Sequence, residues 1–137
     1  RCHQLALYTI LESPFNMLCD NPSNYMREPE SLEFISQIPT VWDETRVLDG
    51  QMGEYIVTAR RKGNVWYIGG ITNWTERDVT VDFSFLNNAS FRGVMFKDGV
   101  NAHRSARDYS KEELETISPV NIHMAPGGGF VMKLVLP

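Results

Sequence analysis

Cysteine is scarce in this 137-residue chain, which has only Cys2 and Cys19. If the residues between them formed one helix, a rise of about 1.5 Å per residue would hold the two about 25 Å apart. A disulfide needs Cα atoms within roughly 7 Å, so a bridge requires the chain to bend back near Pro14. Two cysteines and three scattered histidines (His3, His103, His123) also lack the spacing of a zinc site. No apolar run reaches the roughly 18 residues of a membrane span. Basic excess is absent: the formal net charge is -4, with no electrostatic footprint for nucleic acid. There is no internal repeat and no low-complexity tract. No basic-then-apolar leader opens the sequence, and the first residue is Arg1, so a processed, excised or truncated chain is expected.

The residues that are present suit a soluble globular domain of ordinary size, with 42% hydrophobic and 22% charged residues. Residues 3 to 19 carry apolar side chains at Leu5, Tyr8, Leu11, Phe15 and Leu18, which is helical spacing. Ala6, Leu7, Ile10 and Met17 widen the stripe, so this helix is expected to be buried on more than one face. Pro14 kinks it or starts a second segment, and residues 20 to 24 stop it. A short helix is expected over 28 to 36, with Pro29 in its first turn and Glu30 and Glu33 near its positive end.

After Pro39 the period becomes two. Strands are expected over 41–47, 54–61, 65–72, 78–85, 91–96, 120–124 and 130–136. Lys62-Gly63-Asn64 reads as a hairpin turn, and in "DVTVDFSF" Val79, Val81, Phe83 and Phe85 point one way. Residues 101 to 116 are polar and read as a surface loop with one helical turn at most. The expected fold class is mainly β, an antiparallel β-sandwich of seven or eight strands preceded by one or two helices.

The stretch "PTVWDETRVLDG", residues 39 to 50, places a tryptophan beside two carboxylates and an arginine, as a sugar-cleaving site would. Glycoside hydrolysis needs two carboxyl groups flanking one bond, about 5–5.5 Å or about 6.5–9.5 Å apart. Asp43 and Glu44 are neighbours on an expected strand, so they point to opposite faces and cannot flank the same bond. Trp42 then reads as a core or interface plug, with Arg46 pairing a nearby carboxylate. Trp66 reads as core. Trp74, at a strand end, is the more exposed tryptophan, with core packing and sugar stacking both open to it. Asn73-Trp74-Thr75 and Asn88-Ala89-Ser90 match the N-glycosylation pattern, which is common by chance. Glycines 127 to 129 precede a strand rather than a helix and so lack phosphate-loop geometry. Glu112, Glu113 and Glu115 have no calcium-ligand spacing.

"LYTILESPFNMLCDNPSNY", the long block from Pro39 to Leu86, "FKDGVNA" and "MAPGGGF" together resemble the carboxy-terminal region of glycoside hydrolase family 97, over nearly the whole chain. The resemblance implies a bacterial α-glucosidase or α-galactosidase built from an amino-terminal β-sandwich, a (β/α)8 barrel and a carboxy-terminal β-sandwich. Residues 1–38 would be the helical end of the barrel and residues 39–137 the terminal sandwich. The family's catalytic and calcium-binding residues match no position here, so no catalytic residue and no metal ligand are assigned. Calcium is implied for the parent enzyme only. The implied partner is the parent's catalytic barrel, and a homodimer through the apolar helix Leu5–Leu18 is a further expectation. The implied compartment is periplasmic or extracellular. The leading expectation is a non-catalytic domain that supports the barrel. Its rival is a freestanding carbohydrate-binding module with Trp42, Trp74 or Tyr55 as stacking platforms. Without a barrel to lean on, the apolar helix should fold back on the sandwich, pair with another copy, or fray, because leaving such a stripe wet costs several kcal/mol at about 25 cal/mol per Å2.

Overall fold

The structure is a computed structural model that describes all residues except 15, 19, 88, 116 and 117. Three short helices, α1 (Cys2–Ile10), α2 (Pro22–Met26) and α3 (Pro29–Ser36), precede eight strands. The strands are β1 (Glu44–Gln51), β2 (Tyr55–Lys62), β3 (Val65–Thr72), β4 (Arg77–Val81), β5 (Arg92–Asp98), β6 (Tyr109–Leu114), β7 (Val120–Met124) and β8 (Gly129–Val135). Six form one antiparallel sheet in the order β1-β2-β3-β8-β5-β6, and β4 and β7 form a second. The result is an unequal antiparallel sandwich of the expected class.

Alternation along the strands sorts side chains to two faces. On β3, Trp66 and Ile68 join a core with Val57, Ala59, Phe130, Met132 and Leu134, which β4 and β7 cover with Val79, Val81, Ile122 and Met124. Tyr67, between Trp66 and Ile68, points the other way. There it meets Phe96 and Val131 under Cys2, Leu5 and Ala6 of α1 and Phe34 of α3. The apolar helix therefore folds back on the sheet. Its contact with β3 is close because position 69 is glycine: a Cβ there would stand 3.1 Å from the Ala6 carbonyl oxygen.

Four elements differ from the sequence reading. The first helix ends at Ile10 rather than near 19, because Leu11 adopts extended backbone and its carbonyl accepts a 3.0 Å hydrogen bond from Arg60 Nη1. Residues 20 to 24, read as a stop, also start α2: Asn21 caps it by accepting the Asn24 N–H. Tyr109–Leu114, read as loop, is the edge strand β6. Its sequence misleads because Ser110 to Glu113 are all polar, while Tyr109 at one end stacks on Phe96 on the helix-covered face and Leu114 at the other end is buried in the opposite core. The strand from 78 stops at Val81, where Asp82 turns the chain by accepting the Ser84 N–H. Phe83 nevertheless stays in the expected core. The hairpin turn is as expected, with Gly63 at φ 58.

Candidate functional site

Asp43 lies just ahead of β1 and closes over the β2–β3 turn. It accepts hydrogen bonds from Lys62 Nζ (2.9 Å) and the Gly63 N–H (2.8 Å). Glu44 begins β1 and takes Arg46 Nε (2.5 Å) and Arg61 Nε (3.1 Å). The two carboxylates thus serve different partners. The Gly63 N–H and Lys62 hold Asp43 below the usual carboxylate range, and Arg46 and Arg61 do the same for Glu44. A general acid needs its pKa raised toward working pH, so both groups are tuned away from that role. Arg46 pairs a nearby carboxylate, Glu44, as the sequence suggests.

The three candidate stacking residues occupy different places. Trp42 is half-buried on the helix-covered face, edge-on to Tyr67 at 5.5 Å between centroids, with the Arg60 guanidinium 5.6 Å from its ring centre. Tyr55 begins β2, and the Arg77 guanidinium covers its ring at 4.6 Å. A hydrogen bond to Asp49 raises its pKa. Trp74 follows β3 in the loop to β4 and is 85% exposed. Tyr55 and Thr72 are register partners at one end of the sheet, so Tyr55 and Trp74 share that end. Trp42 belongs to the opposite end, next to Glu44, which is paired with Arg61. The fold therefore brings Tyr55 and Trp74 into one region and keeps Trp42 apart. Trp66 is buried core, edge-on to Phe85.

Two buried charged groups escaped the sequence reading. Arg60 is 2% exposed on the helix-covered face, where it binds the Leu11 carbonyl and pairs with Glu12. The alternation Ile56, Thr58, Arg60 was the available signal that this arginine turns inward. Asp98, read as part of a turn, ends β5 at 7% exposure. Its Oδ2 accepts the N–H groups of Gly129 (2.6 Å) and Ala125 (3.3 Å), which pins the glycine turn between β7 and β8. Burial raises the Asp98 pKa against the opposing pull of those N–H groups. The neighbouring Cys2 thiol, free and buried, is pushed up to about 12 by burial first and then by Asp98. Cys19 lies outside the described residues, as does Asn88 of the second glycosylation pattern.

An open groove of about 410 Å3 runs between α3 and strands β5 and β6, lined by Glu30, Glu33, Arg92, Lys111 and Lys133. Its charges are mixed, and Lys111 lies 3.7 Å from Glu30. His3 shares a hydrogen bond with the Gly128 carbonyl, and His123 pairs with Asp78 at 2.7 Å, so the two take up separate positions. Glu112 pairs with Lys97 at 2.8 Å. Among the described residues no group of three or more His, Cys, Asp and Glu side chains is placed to hold a metal ion. No helix of the described residues is long and apolar enough to cross a membrane.

A family model described as the C-terminal, oligomerisation region of glycosyl-hydrolase 97 matches residues 41–135. The chain is 65% identical over 136 residues to a retaining alpha-galactosidase of Bacteroides thetaiotaomicron, covering 98% of this chain and 20% of that protein. It is 40% identical over 67 residues to a probable retaining alpha-galactosidase of Streptomyces bingchenggensis, covering 49% of this chain and 11% of that one. In structure it superposes with a TM-score of 0.90 on a glycoside hydrolase family 97 enzyme in complex with acarbose from Pseudoalteromonas sp. strain K8. That match has 34% identity and covers 99% of this chain and 22% of the other. The chain thus spans about a fifth of the length of these relatives. Its eight-stranded sandwich with helices folded on one face is shared with them, and the chain belongs to glycoside hydrolase family 97, as its carboxy-terminal region.

Proposed function

We propose that this chain is the non-catalytic carboxy-terminal module of a retaining α-galactosidase, and that it braces the enzyme's catalytic portion. One observation carries this reading: Asp43 and Glu44, the paired acids of the most site-like stretch, are committed to separate structural contacts and held ionised. The galactoside assignment follows the similarity to the Bacteroides enzyme. The catalytic portion is the proposed partner. It would be met by the outward side of α1, because Leu5 and Ala6 already face the sheet.

For the calcium ion implied for the whole enzyme, no group of three or more His, Cys, Asp or Glu side chains among the described residues converges as a donor set. Self-association belongs to the same proposal. It is supported by the family description and by Leu11, Met17 and Leu18, which stay exposed after Leu5 is buried. Sedimentation velocity of the intact enzyme with Leu11→Glu and Leu18→Glu tests that part.

Deletion of residues 41–135 from the intact enzyme tests the main reading. Turnover of p-nitrophenyl α-galactoside per folded molecule should stay within a few fold while thermal half-life falls sharply. A drop in turnover by more than about 1000-fold in protein that is still folded would mean that the module supplies chemistry, since each factor of ten is about 1.36 kcal/mol of barrier.

A further inference from the structure

Trp74 stands out among the exposed side chains because its loop is held firmly while its ring is left open. The Asn73 N–H donates to the Glu54 carbonyl (2.7 Å), and the Gly127 N–H donates to the Asn73 carbonyl (2.7 Å). Asn73 Nδ2 donates to the Gly53 carbonyl (3.2 Å), and its Oδ1 accepts the Thr75 N–H (2.9 Å). Thr72 Oγ1 closes the turn on the Thr75 carbonyl (2.9 Å). One side of the indole lies against Gly127, where a Cβ would stand 3.0 Å from Cζ3 and 3.1 Å from Cε3. Gly127 has φ 67, so both the backbone conformation and the ring seat favour glycine. The residue is nevertheless 85% exposed.

A tryptophan that only filled space would be covered, and a tryptophan on a loose loop would not be seated. This one offers a flat, electron-rich face on a rigid support, with little ordering left to do on binding. Such a face attracts the weakly positive C–H groups on one side of a pyranose ring. The Asn73 amide next to it is committed to the Gly53 carbonyl and the Thr75 N–H, so what the loop offers a sugar is the ring itself. By contrast, the Tyr55 ring is covered by Arg77 and Trp42 is packed on Tyr67, so neither presents a free face of this kind.

We propose that the open face of Trp74, seated on Gly127 between the β3–β4 and β7–β8 turns, is a stacking platform for a hexopyranose ring, giving this module a carbohydrate contact of its own. The choice of a galactoside as probe rests on the proposed function, but the stacking surface does not.

The test uses the three indole N–H resonances of the 15N-labelled chain, with Trp42 and Trp66 as internal controls. Melibiose and maltotriose are titrated to about 50 mM. The expected result is a saturable shift confined to Trp74, with a dissociation constant on the order of 1–10 mM, as a single weak platform would give. Saturation transfer to the sugar should vanish in Trp74→Ala and persist within about fivefold in Trp74→Phe. Trp74 is exposed, so these variants keep the fold. No shift at the highest sugar concentration, or equal shifts at all three indoles, overturns the proposal. So does a Trp74 resonance that moves with protein concentration in sugar-free buffer, which would seat a second copy there. Response in the free chain but not in the intact enzyme also overturns it, because the catalytic portion would then occupy the surface. None of these outcomes bears on turnover after deletion of residues 41–135.

Discussion

The two faces of the six-stranded sheet are built on different terms. The face under β4 and β7 is mainly apolar, with Ile68, Phe130, Met132 and Leu134 meeting Ile122 and Met124 and buried Thr72 at its margin. The face under α1 and α3 mixes Tyr67, Phe96 and Val131 with buried Arg60, Asp98 and Thr9. The first resembles the closed interior of a sandwich. The second is a surface on which a helical segment has been laid and tied down by polar anchors: Tyr67 Oη donates to the Gln37 carbonyl at 2.6 Å, Arg60 Nη1 to the Leu11 carbonyl at 3.0 Å, and Arg1 Nη1 to Tyr109 Oη at 3.4 Å. Directional bonds fix where the helices sit, while the apolar face needs only volume and shape.

That contrast can be broken by substitution. Phe130→Ala should have the largest effect, about 3–5 kcal/mol by urea denaturation, with the whole chain unfolding as one unit. Phe34→Ala, on the helical side, should cost less overall and should raise hydrogen exchange in α3 while β3 and β8 stay protected. Equal exchange on both faces would show that the distinction is false.

Asp98 sharpens the comparison next. Asp98→Ala strands two buried N–H groups, at about 1–3 kcal/mol each, whereas Asp98→Asn keeps an acceptor. The pH dependence has a definite sign. Burial raises the folded-state pKa of Asp98, so the folded chain binds its proton more tightly than the unfolded chain. Its favourable contribution is complete below the ordinary value of 3.8 and is lost as pH rises through the raised one. Urea midpoints should therefore show Asp98→Asn gaining on the parent chain as pH rises from about 4 to about 7. A difference independent of pH would mean that the N–H bonds cancel the burial effect.

Smaller effects are expected at the ion pairs. Glu12→Ala should cost under about 1 kcal/mol, since Glu12 is exposed and Arg60 keeps the Leu11 carbonyl and the Trp42 ring. Asp43 and Glu44 have depressed pKa values, so their contribution is present above the ordinary carboxylate values of 3.8 and 4.5. It is lost as pH falls through the lowered ones. Asp43→Asn/Glu44→Gln should flatten the stability profile in acid and change little near neutral pH.

Most of the sandwich was legible in the sequence because its strands either alternate or run apolar between clear turns, as with "VWYIGGIT" and "KGN". β6 was hidden because the polar run Ser110 to Glu113 between Tyr109 and Leu114 reads as loop. The end of α1 was hidden because it is set by Arg60, some fifty positions away, rather than by a local breaker. At the candidate site, the exposure of Trp74 followed from its place after a strand end. Its seat on Gly127 did not, since residues 74 and 127 meet only once β3, β7 and β8 are assembled. Asp98 was missed for the same reason: its partners are backbone groups of a distant turn.

The claim at the centre is that the acids of "PTVWDETRVLDG" tie β1 to the β2–β3 turn and take no part in bond cleavage. Steady-state hydrolysis of p-nitrophenyl α-galactoside by the intact enzyme carrying Asp43→Asn and Glu44→Gln measures this directly. Turnover and KM that both stay within about twofold of the parent enzyme are the predicted result. Correctly folded protein that turns over slower by about 100-fold or more would contradict it.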